Sequence, residues 1–125
     1  MRGSQRDVDT TLDNEDVRIQ EAEWGEMHLG LETFRSEVDL GPLLKGLPDD
    51  RCQCPHWGYV IKGHMRVRYA DHEEEIVAGD AYYMAPGHTP IVDPGTETVE
   101  FSPRGLYQET MEVAVRNYLA LTQQA

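Results

Sequence analysis

The sequence predicts an all-β, antiparallel domain, a sandwich or small barrel, closed by a single C-terminal helix. Two observations carry this. From residue 56 onward, short alternating runs are interrupted by turn residues about every 8 to 12 positions, the rhythm of a sandwich or barrel. In the tail the period changes: Met111, Val115, Tyr118 and Leu119 recur at i, i+4, i+7 and i+8, the stripe of an amphipathic helix over about 108–123.

Residues 1–15, "MRGSQRDVDTTLDNE", hold almost no apolar material and read as a flexible N-terminal arm, leaving 16–125 as one domain. "VRIQ" then alternates with period two. "EMHLGLETF" puts Met27, Leu29 and Leu31 on one face and His28 and Glu32 on the other, where His28 is expected in solvent. Trp24-Gly25 is the turn between these runs. "DLGPLLKGLPDD" is a Gly/Pro-punctuated flap whose Leu40, Leu43, Leu44 and Leu47 pack inward. Further strands follow as "HWGYVI", "MRVRYA", "EEIVA", "AYYMA", "IV" and "TVEFS", with corners at Lys62-Gly63, Gly79-Asp80, "PGHTP" and "DPGTE". Gly63 and Gly79 fall where the chain must reverse sharply, which favours a residue able to take positive φ.

Composition bounds the function. At 125 residues with 39% hydrophobic and 27% charged residues, the chain suits one globular domain. A net charge of −12 repels phosphate backbones and anionic lipid, so neither nucleic acid nor membrane is an expected partner. Without a signal-peptide core or a run of about 20 apolar residues, a cytoplasmic protein is expected. Cys52 and Cys54 are too close in sequence for an unstrained bridge and read as free thiols or metal ligands.

"HWGYVIKG" and "GDAYYMAPGHTP" resemble the two motifs of the cupins, small antiparallel jelly-roll barrels. The first motif runs G(X)5HXH(X)3-4E(X)6G, and here Gly63 follows His56 by seven positions. The second runs G(X)5PXG(X)2H(X)3N, matched in part by Gly79-Asp80 and Pro86-Gly87. The resemblance covers roughly residues 26–103 and implies a jelly-roll barrel, with an outer surface that meets a second copy in a homodimer. It places the motif glutamate at His56 and the two motif histidines at Cys52 and Asp50. The second-motif histidine falls on Pro90, so none of the four usual ligands is kept in kind.

The replacements remain donors. Asp50, Cys52, Cys54 and His56 share parity and point to one face if the segment is extended. His88 lies two positions before Pro90. A divalent ion, zinc first because thiolate is present, would take ligands from Cys52, His56, Cys54 and His88. The same thiols and imidazoles also serve as buried filler or core hydrogen-bond partners. Val60, Tyr82 and Met84 are expected to line a pocket in the barrel. Trp57 and Tyr59 are expected outside it.

Three functions stay open: a barrel binding a small molecule and a divalent metal at an altered site, a metal-free ligand-binding or regulatory module, and a dimeric interaction protein with a filled barrel. Family members include dioxygenases, isomerases and decarboxylases, and the lack of a histidine-rich iron site speaks against the first. No activated nucleophile or phosphate-cradling glycine loop is visible.

Overall fold

The protein is described here by a computed structural model covering residues 1–123. Ten strands form two antiparallel sheets: β1 (Thr10–Asp13), β2 (Val17–Trp24), β3 (Met27–Phe34), β4 (Val38–Asp39), β5 (His56–Lys62), β6 (His64–Arg68), β7 (Glu73–Val77), β8 (Ala81–Met84), β9 (Thr89–Val92) and β10 (Thr96–Pro103). One sheet has six strands in the order β1-β2-β3-β10-β5-β8, the other four in the order β4-β9-β6-β7. The non-consecutive neighbours make this a jelly roll, as expected. The helix α1 (Arg104–Thr122) closes one end. It begins earlier than the sequence predicts, directly after Pro103, whose φ of −57° ends β10.

The turn glycines meet their predicted demand: Gly63 and Gly79 have φ of 90° and 93°. Gly63 is doubly constrained, because a Cβ there would collide with the backbone and side chain of Thr96.

The apolar core lies between the sheets. Phe34, Val60, Met65, Val67, Ile76, Tyr82, Met84 and Val92 pack into one cluster. A second cluster sits beneath the flap, where Leu44, Cys52 and Cys54 are buried with Leu40, Leu47 and Tyr107 against them. Asn117 of α1 donates to the carbonyls of Leu43 and Lys45, both at 2.8 Å, tying helix to flap.

The two faces of β3 are inverted relative to the sequence reading. The polar face, with His28 and Glu32, turns into the barrel, and His28 is buried, contrary to its expected solvation. The face bearing Leu29 and Leu31 points outward yet is also buried. The N-terminal arm accounts for this. Gln20, opposite Leu31 on β2, donates its amide to the carbonyls of Gln5 and Val8 at 3.0 and 2.9 Å. Thr10–Asp13 of the arm then pairs with β2 as an edge strand. Backbone pairing anchors here what the arm lacks in apolar side chains.

Candidate metal centre

Cys52, His56 and His88 converge although their chain segments differ in kind. His56 opens β5. Cys52 lies in the irregular stretch before it and forms an isolated antiparallel bridge to His88, with its amide donating to the His88 carbonyl at 2.9 Å. That bridge carries His88 from the corner after β8 to the site. One donor atom from each of the three residues lies within 4.8 Å of the others. All three are buried, His88 completely.

Hydrogen bonding orients the two imidazoles. His88 Nδ1 lies 2.6 Å from the Ala85 carbonyl, an acceptor only, so this nitrogen carries the proton. His88 Nε2 is then a bare lone pair, a buried polar atom with no partner among the described residues. A sealed, unsatisfied imidazole nitrogen costs about 1–3 kcal/mol. His56 Nδ1 lies 2.6 Å from Ser102 Oγ, and its Nε2 faces Cys52 Sγ at 3.6 Å. The two rings meet edge to face with centroids 5.0 Å apart.

All three groups are neutral without a metal. Burial pushes the Cys52 thiol up to about 11 and lowers His56 and His88 to about 4 each. One thiol and two imidazole lone pairs are a borderline-soft set suited to zinc, and three protein ligands leave a fourth position for another donor. The residues present therefore fit a divalent ion.

The expected ligand Cys54, and Asp50, which shares its parity, stand elsewhere. Cys54 is outside the cluster: its Sγ lies 3.5 Å from the Pro55 carbonyl, and burial raises its thiol to about 12. The parity argument fails there because the segment before β5 is not extended. Asp49 and Asp50 have φ of 57° and 55°, and the Asp50 carboxylate accepts from the Gly46 amide instead of reaching the site.

A small cavity, about 50 Å³, borders His56 on its far side, among Glu32, Tyr82, Met84, Thr98 and Glu100. Tyr82 and Met84 line it. Val60 does not: it is wholly buried in the core cluster. The cavity is far below the roughly 300–1,000 Å³ of a drug-sized ligand site.

The cavity's carboxyls were not foreseen. Tyr82 donates to Glu100 at 2.8 Å and Thr98 to Glu32 at 3.3 Å. Burial, then the neighbouring Glu100 charge, holds Glu32 well above the usual carboxylate range, and burial raises Glu100 as well. Nearer α1, Glu21 accepts from His28 at 2.6 Å and from Tyr107 at 3.1 Å, and the His28 bond lowers it to about 2. Tyr107 stacks on His28 with centroids 3.6 Å apart, docking the helix onto this polar interior. The alternation of Thr96, Thr98, Glu100 and Ser102 along β10 is the sequence signal that would have revealed it.

No protein-family model matches the chain, and no curated protein resembles it in sequence. Its fold does have solved counterparts. The polyketide cyclase RemF from Streptomyces resistomycificus superposes with a TM-score of 0.57 at 15% identity, covering 83% of this chain and 79% of that one. An RmlC-like cupin from Shewanella frigidimarina gives 0.56 at 17% identity, over 81% and 88% of the two chains. KdgF from Halomonas sp. gives 0.53 at 15%, over 81% and 93%. At these identities the likeness establishes the fold, and the fold is that of the cupins.

Proposed function

We propose that this chain is a metal-binding cupin whose ion, zinc first, is held by Cys52 Sγ and the Nε2 atoms of His56 and His88. The observation that carries this reading is the buried lone pair of His88 Nε2, without a partner among the described residues, on a residue whose ring lies in a cluster with two further buried donors. A bound ion would relieve that unsatisfied atom and supply Lewis acidity at its fourth position.

The cavity beyond His56 is the proposed small-molecule site, and its size admits a few waters or a compact head group. Trp57, Tyr59 and Tyr83, exposed on the outer face of β5 and β8, suit contact with a second copy in a homodimer. A cytoplasmic setting would keep Cys52 reduced.

The narrow cavity also favours a second reading, a filled barrel acting as an interaction module. Titration with cobalt(II) separates the two. Saturation at one equivalent with thiolate-to-metal absorption, lost in Cys52→Ser, supports the metal centre. No absorption at any ratio leaves the filled barrel.

A further inference from the structure

His56 is a wall shared by two compartments. Its Nε2 faces the Cys52–His88 cluster, while its Nδ1 faces the polar barrel interior. On that inner side Ser102 Oγ stands 2.6 Å away and Glu100 Oε2 3.5 Å away. Ser102 comes from β10, two positions beyond Glu100 and on the same face of the sheet. Glu100 is steadied in turn by the Tyr82 hydroxyl. Tyr82 reaches it by lying across Gly58, where any Cβ would overlap its ring. A chain of contacts therefore runs from Tyr82 through Glu100 to the His56–Ser102 pair.

Neutral imidazole has one N–H, and its position is set by the bond the other nitrogen makes. A proton on Nε2 would block that atom as a ligand and oppose the Cys52 thiol with another donor. The Ser102 hydroxyl can donate or accept, but Glu100 Oε2, an acceptor 3.5 Å from Nδ1, favours a proton on that nitrogen, and a proton there, received by Ser102, frees Nε2.

We propose that Ser102 is a positioning residue, backed by Glu100, which keeps the His56 proton on Nδ1 and so presents the Nε2 lone pair to Cys52 and His88. The same device is built at His88 from a backbone carbonyl, since Ala85 holds Nδ1–H there. The two imidazoles are thus set to the same tautomer by unrelated means, one from main chain and one from a side chain. Partners of this kind contribute about 10–100-fold to metal affinity. The significance for metal binding rests on the function proposed above, but the tautomer does not.

The test combines two measurements on the full chain: the nitrogen-15 shifts of His56 without metal, and cobalt(II) affinity from absorption. Wild type should show Nδ1–H. Ser102→Ala should shift His56 toward Nε2–H and weaken cobalt about 10–100-fold. Ser102→Thr, which keeps the hydroxyl, should restore both. An Nε2–H tautomer in the wild type overturns the proposal, as does a Ser102→Ala protein unchanged in both tautomer and affinity. If the tautomer depends on Ser102 but the wild type binds no cobalt, the positioning role stands and the metal reading falls.

Discussion

Cys52 Sγ and His56 Nε2 stand 3.6 Å apart in a buried pocket, with the thiol held protonated and the imidazole neutral. The pair is a weak S–H···N contact without metal and two ready ligands with it. The bridge between Cys52 and His88 adds the third donor and fixes its distance.

The two cysteines should therefore behave differently. Cys52→Ser should weaken zinc by more than about 100-fold, the upper end of what outer partners alone contribute. Cys54→Ser should bind nearly as the wild type does, since its thiol faces the Pro55 carbonyl. Competition against a zinc chelator checks both. Equal losses would place Cys54 among the ligands.

Metal binding should release protons in a specific number. With both histidines near 4 and the thiol near 11, only Cys52 gives up a proton at neutral pH. Calorimetry in buffers of different ionisation enthalpy should report about one proton per ion, and log affinity should rise by about one per pH unit between roughly pH 5 and 9. A release of two or more would mean that a histidine is charged in the metal-free protein or that a water at the fourth position ionises.

Glu32 makes stability depend on pH in the opposite sense from most carboxylates. Its folded pKa lies above the ordinary value of 4.5 through burial and the charge of Glu100. The folded protein thus retains a proton that the unfolded chain has lost. That contribution is complete below 4.5 and disappears as pH rises through the raised value. Glu32→Gln should flatten this decline and stabilise the protein at pH 8 by on the order of 1–3 kcal/mol. Urea unfolding of both proteins at pH 6 and pH 8 measures it; a parallel decline in the two would contradict the assignment.

Gly58 should tolerate no side chain. A Cβ there overlaps the Tyr82 ring, which has no free direction while it holds Glu100. Gly58→Ala should cost about 1–3 kcal/mol in urea unfolding, and the double variant with Tyr82→Ala should recover part of it. An additive double variant would show that the two positions are independent.

Much of the fold was legible because its signals are local. Turn glycines at Gly63 and Gly79, alternation in "MRVRYA" and the helical stripe from Met111 to Leu119 each report a backbone demand that a few residues satisfy. What covers a strand face is not local. Nothing in "EMHLGLETF" tells that the arm will bury Leu29 and Leu31, so the polar face of β3 read as solvent and proved to be barrel interior. The candidate site was half legible for the same reason. Cys52, His56 and His88 stood out by residue type, whereas parity grouped Cys54 with them although the chain bends at Cys54 itself and strand alternation does not hold between Cys52 and His56. Ser102 and Glu100 are donated by a strand more than forty residues away and belong to the site only through the pairing of β10 with β5.

The central claim is that Cys52, His56 and His88 hold one ion together. The most direct measurement is the metal content, by plasma mass spectrometry, of protein purified without chelator and equilibrated with limiting zinc. Wild type, His56→Ala and His88→Ala would be compared. Close to one equivalent in the wild type, and little in either variant, is the expected result. Wild type without zinc, or a His88→Ala protein that retains its full complement, would contradict the account.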